Sequence, residues 1–169
     1  MGAQDVILGA RVASLRELKA EVARLKAENS QLRDENAALA QHFDLALLAA
    51  EDLRTLPEGG KLIILDGWNL ILGAQKTART PEELIAQARE HLAAHPADRV
   101  WIVFDGPHEN AFCDGGLRVS YTGGTGLHRA DRFIVDFVRM ARYRGELSRI
   151  EVRTADRGLR QTVERLQKL

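Results

Sequence analysis

Cysteine is almost absent from this chain: Cys113 is the only one in 169 residues. An intrachain disulfide is therefore excluded, and a reducing compartment is expected. With no cysteine or histidine company suited to zinc and no histidine placed as its catalytic partner, Cys113 reads as structural. Long apolar runs are missing too. None approaches the ~18 residues that span a bilayer, and the N-terminus has no secretory apolar core, so a cytoplasmic protein without a membrane partner is expected. Phosphate-loop signatures are lacking. Gly123-Gly124-Thr125-Gly126 is followed by no Gly-Lys-Ser/Thr and has no dinucleotide-fingerprint spacing. It reads either as a flexible connection or as backbone that approaches a phosphate closely. Aromatic residues make up only 5% of the chain, too few for a rich base-stacking platform; Trp68 and Tyr121 are the candidates.

Net charge is zero, but it is unevenly spread. Residues 1–60 carry 7 basic and 10 acidic side chains, whereas from Arg118 onward there are 12 basic against 6 acidic. A basic C-terminal region suits a polyanionic partner, and equally a solvated, arginine-decorated helical surface.

The first forty residues read as a zipper. With Leu18, Leu25, Leu32 and Leu39 at d, the a positions are Leu15, Val22, Asn29, Asn36 and Phe43. The apolar stripe is narrow and interrupted by two asparagines, a pattern that fixes register in parallel two-stranded coils. A parallel homodimer through residues 12–46 is expected. No basic cluster precedes the zipper, which excludes a DNA-binding zipper with a basic region. The expected organisation is a coiled-coil helix over 1–50, a Pro- and Gly-containing linker over 51–60, and a globular domain over 61–169.

Within that domain, strands are expected over Lys61–Leu65, Arg99–Phe104, Leu117–Tyr121 and Arg149–Thr154, and helices over Pro81–Ala94, Ala130–Arg144 and Arg157–Lys168. Pro81 suits the first helical position after Thr80 as N-cap. Short apolar strands alternating with helices imply an α/β fold with a parallel sheet of four to five strands, covered on both sides.

Acids then stand where such folds build their sites, at the carboxyl ends of the strands. Asp66 follows Leu62–Leu65, Asp105 follows Val100–Phe104, and Asp156 comes just past Ile150–Thr154. Asp131 opens the second helix after the glycine-rich loop. Each alone has an ordinary explanation as a turn residue, an N-cap or a first-turn acid. Together they form a self-repelling cluster that calls for an oxygen-liganded cation such as Mg²⁺ or Mn²⁺, and so for metal-assisted phosphoester chemistry. Asn69, three residues after Asp66, is placed to hold that carboxylate or to touch a phosphate. Asp136 lies about 140° around the helix from Asp131 and is peripheral. Arg129, Arg132 and Arg157 flank the acids, as phosphate-gripping groups or as solvated surface.

Leu-Asp-Gly-Trp-Asn, Val-Phe-Asp-Gly, Tyr-Thr-Gly-Gly-Thr-Gly-Leu-His-Arg-Ala-Asp-Arg and Thr-Ala-Asp-Arg, in this order, resemble the motif series of NYN domains. The YacP-like branch of the PIN-like nuclease superfamily is the nearest likeness. The resemblance covers Lys61–Leu169 and not the zipper. It implies a Rossmann-like (PIN-like) sheet and a metal-dependent endoribonuclease. Asp66, Asp105, Asp131 and Asp156 would be the acidic, metal-holding site, and Asn69, Arg129, Arg132, Arg157 and Thr154 would meet single-stranded RNA, mRNA or ribosome-presented. Two other readings stand beside it. One is a catalytically weak RNA-binding or adaptor module, acting through its coiled coil and associated with the ribosome. The other is a DNA flap nuclease, disfavoured because the domain is too short for duplex-clamping helices.

Overall fold

The computed structural model describes residues 3–73, 77–106, 111–123 and 128–168, with side chains left out for 3–14, 38, 39, 41 and 42. The chain forms two compact units, Met1–Ala37 and Ala38–Leu169. Helix α1 (Ala3–Arg54) begins in the first and ends in the second. In the first unit the zipper residues Leu15, Leu18, Val22, Leu25 and Leu32 each expose 50–59% of their surface. No helix among the described residues is long and apolar enough to cross a membrane.

The second unit is built on one five-stranded sheet. Its elements are β1 (Leu62–Asp66), α2 (Gly67–Leu72), α3 (Pro81–Ala94), β2 (Arg99–Phe104), β3 (Phe112–Asp114), β4 (Leu117–Tyr121), α4 (Arg129–Tyr143), β5 (Ile150–Arg153) and α5 (Arg157–Lys168). The strand order is β3-β4-β2-β1-β5. All neighbours are parallel except the short edge strand β3, which pairs antiparallel with β4.

Side chains alternate between the two faces, and each face carries its own core. Leu62 and Ile64 of β1, Trp101 and Val103 of β2 and Ile150 of β5 pack against α4 and α5. Ile63, Leu65, Val100, Ile102 and Phe104 pack against α2 and α3. Asp66 and Thr154 share the parity of the first set, so both fall on the face that carries α4. The apolar stripe of α4 (Phe133, Ile134, Phe137, Val138 and Ala141) is buried as its spacing predicts.

Three expectations change. The expected linker over 51–60 is a connection only from Thr55 on. Helix α1 continues to Arg54, and Leu45, Ala49, Leu53 and Leu56 belong to the core on the α4 face. These residues repeat every three to four positions, and that second stripe is what holds the helix on the sheet. Arg149 fastens its end by donating to the carbonyls of Leu53, Leu56 and Pro57 at 3.3, 3.0 and 3.3 Å. The other two changes are additions, β3 and the six-residue α2, both too short to carry a periodic signal. Cys113, read as structural, is an exposed free thiol on β3.

One ion pair ties α1 to the sheet. The Arg118 guanidinium on β4 donates from Nε to Asp52 Oδ2 (2.7 Å) and from Nη2 to Asp52 Oδ1 (3.0 Å), with both side chains more than four-fifths buried. It also lies 5.9 Å from the centroid of the Trp101 ring. A fork of this kind is geometrically selective, and removing one partner strands the other charge. Asp52→Ala is expected to lower stability by about 1–3 kcal/mol in urea unfolding. An unchanged midpoint would contradict this role.

Candidate functional site

Strand register decides which groups meet at the carboxyl rim of the sheet. Leu65 pairs with Arg153, so Thr154 comes level with Asp66. Phe104 pairs with Tyr121, so Thr122 comes level with Asp105. Asp66 and Asp105 thus each face a threonine just past the end of the adjoining strand.

Asp66 is 2% exposed. Its Oδ2 accepts from Asn69 Nδ2 and from Thr154 Oγ1, both at 2.7 Å. The Asn69 amide adds a weaker pull without closing a cap bond. Thr154 itself is buried and accepts from the Asp156 amide at 3.0 Å. Its hydroxyl is spent inside the site, so the expectation that it meets substrate is corrected: it positions Asp66. Asn69 likewise holds the carboxylate.

Asp105 Oδ1 accepts from Thr122 Oγ1 (2.9 Å) and from the Ala130 amide (2.6 Å), which binds the first turn of α4 to the end of β2. Trp68 donates from Nε1 to the Asp105 carbonyl at 2.7 Å. Asp131 Oδ2 lies 3.0 Å from Nδ1 of His128, the one non-glycine residue at positive φ (58°) among the described residues. Asp156 Oδ1 accepts the Leu159 amide at 2.7 Å as the cap of α5. The ordinary roles of Asp105 and Asp156 are therefore real, and each uses a single oxygen. In all four carboxylates one oxygen is held by a protein donor, and the other accepts no hydrogen bond among the described residues.

The charges act on one another. Burial is the largest cause raising the Asp66 pKa, and the Asp131 charge adds to it against the bonds from Thr154 and Asn69. Burial also leads in raising Asp131, with Asp156 and Asp105 adding to it while His128 opposes. Asp131 is thus the electrostatic hub, coupled to the other three. No three of the four carboxylates bring ligand oxygens within 4.8 Å of one another. The carboxylate oxygens left free are hard donors of the kind that a divalent cation such as Mg²⁺ takes, with water completing its shell.

Arg129 donates from Nη2 to the Thr122 carbonyl at 3.1 Å, while its buried Nε has no partner. Arg132 and Arg157 are exposed. Asp136 pairs with Arg139 at 3.0 Å. The glycine loop at 124–126 lies outside the described residues. Gly67 is required where it stands, because a β-carbon there would overlap the Phe104 ring. The sequence alone does not mark out Thr122. Its signal is a hydroxyl one residue beyond a strand, but the pairing with Asp105 depends on register.

No protein-family model, curated protein or solved structure matches the chain.

Raised carboxylate pKa values mean that the metal-free fold holds protons more tightly than the unfolded chain. Their stabilising share is complete below the ordinary aspartate range, about pH 4, and is lost as pH rises through the raised values. Asp66→Asn keeps an oxygen to accept from Asn69 and Thr154 but removes the charge. Its thermal midpoint in EDTA at pH 7 is expected to rise by a few degrees, with a flatter decline from pH 4 upward. A midpoint below wild type at pH 7 would contradict this.

Proposed function

We propose that this protein is a metal-dependent endoribonuclease that hydrolyses RNA phosphodiesters at the aspartate rim. The observation carrying the reading is the set of four carboxylates, each pinned by one oxygen with the other to spare, around the hub Asp131. A retired site would gain by losing such mutual repulsion. The likeness of the motif series to NYN domains supports the same reading.

Asp66, Asp131 and Asp156 would hold Mg²⁺ or Mn²⁺, with Asp105 as a shared ligand. A cation there supplies Lewis-acid stabilisation of charge on the phosphate and the departing 3′ oxygen. The protein's own groups supply position. Asn69 and Thr154 fix Asp66, Asp105 fixes the start of α4 and so Asp131, and Thr154 and the Leu159 amide fix Asp156. Arg129, Arg132 and Arg157 stand next to the acids in sequence and offer guanidinium forks to flanking phosphates. With few aromatic residues near the rim, binding would follow the backbone more than base identity.

Labelled single-stranded RNA incubated with the purified chain is expected to be cut in Mn²⁺ or Mg²⁺ and left intact in EDTA. Asp66→Asn and Asp156→Asn, both still folded, should lose more than the about 10- to 100-fold that removal of an outer partner costs. Cleavage retained in Asp66→Asn would sink the assignment.

The exposed zipper residues and the a-position pair Asn29 and Asn36 support a parallel homodimer through α1. Such a dimer carries two rims, which raises avidity for a long RNA. Light scattering should give twice the chain mass for wild type and a single chain mass for Leu18→Glu/Leu25→Glu. A monomeric wild type would refute the dimer.

A further inference from the structure

At the rim opposite the aspartates, the carboxyl end of α3 brings two histidines to the start of β2. His91 and His95 are four residues apart, which puts them on the same side of the helix end. Their rings stack with centroids 4.4 Å apart and planes at 19°. Asp98 immediately precedes β2, and its Oδ2 lies 2.8 Å from His91 Nε2. One ligand atom from each of the three residues lies within 4.8 Å of the others.

We propose that His91, His95 and Asp98 form a second metal site, one that takes a borderline transition ion such as Zn²⁺ and is separate from the aspartate rim. The donor set is two imidazole nitrogens and one carboxylate oxygen. That combination suits a borderline transition ion, whereas Mg²⁺ and Ca²⁺ favour all-oxygen ligands. Three protein ligands leave the fourth tetrahedral position to water.

The groups behind the ligands support this assignment. His95 Nδ1 lies 3.1 Å from the His91 carbonyl, which can only accept, so this nitrogen carries the proton and Nε2 keeps its lone pair. Asp98 Oδ1 accepts from the Lys61 amide at 2.9 Å, which leaves Oδ2 turned to the histidine. Backbone groups that fix the tautomer and the carboxylate orientation are the usual support of a zinc ligand. Ligand atoms around tetrahedral zinc stand about 3.3 Å apart, so the His91–Asp98 pair has to open by only about half an ångström. An ion pair alone would account for His91 and Asp98. His95, exposed yet stacked on its neighbour, adds a third ligand atom beside that pair. The ion would tie the end of α3 to the starts of β1 and β2, the two strands whose far ends carry Asp66 and Asp105. The inference does not depend on RNA cleavage.

The test is a titration of the metal-free full-length chain with Zn²⁺ against a chromogenic chelator, and with Co²⁺ read by its visible d–d bands. Wild type and Asp66→Asn should each bind Zn²⁺ at this site and show the intense bands of tetrahedral cobalt. His95→Ala changes an exposed side chain, and His95→Gln serves as a second variant should the first lose its circular dichroism. Either should weaken Zn²⁺ binding by about 10-fold or more and abolish the bands. Zinc affinity unchanged in the His95 variants, or lost in Asp66→Asn instead, would overturn the site, as would a wild type that binds no zinc.

Discussion

Four negative charges gathered on one rim are the constraint around which this domain is built. Asp131 feels Asp156 and Asp105, and its own charge reaches Asp66, while burial strips water from both raised groups. Nothing in the energetics of folding favours that arrangement, since carboxylates out of water and near like charges cost free energy. It persists because the scaffold determines it several times over. Parallel register sets a threonine beside Asp66 and beside Asp105, the α4 amide closes on Asp105, and the cap of α5 holds Asp156. Stability given up at a site and recovered in the surrounding packing is the familiar mark of function.

The recovery is visible on both faces of the sheet. On one face, Trp101 packs against Phe133 and Phe137 and satisfies its own N–H on Ser120 Oγ at 2.9 Å. The end of α1 completes that layer, held by Asp52 on Arg118 and by Arg149 on three carbonyls. On the other face, Phe104 stacks on Tyr121 and meets Trp68 edge-on, close beneath the acids. Helix α1 therefore does two jobs with two stripes. One closes the core of the domain, and the other, in the first unit, is exposed.

The order of elements could be read from the chain because each long one carries its own period. The helix over Pro81–Ala94 and the strand over Arg99–Phe104 stand as their residues predict. The four acids stood out for the same reason, each just beyond an apolar run or at a helix start. What escaped is whatever depends on register or on contacts between elements. The sequence does not say that β5 lies beside β1, so it offers Thr154 to substrate and not, level with it, to Asp66. Thr122 was missed for the same reason on the neighbouring pair. The polar stretch after residue 50 read as a linker because its apolar residues belong to a stripe already running along α1. The His91, His95 and Asp98 grouping combines a helix period with a strand start, and only folding brings those together.

Whether the aspartate rim takes a divalent cation is read most directly from Mn²⁺ binding, followed by loss of the free-ion electron paramagnetic resonance signal. Wild type and the hub variant Asp131→Asn would be compared, each also carrying His95→Ala to silence the opposite rim. Mn²⁺ uptake by the wild-type rim is expected, with its collapse in Asp131→Asn while the fold survives. Equal uptake by the two proteins, or none by either, would contradict this.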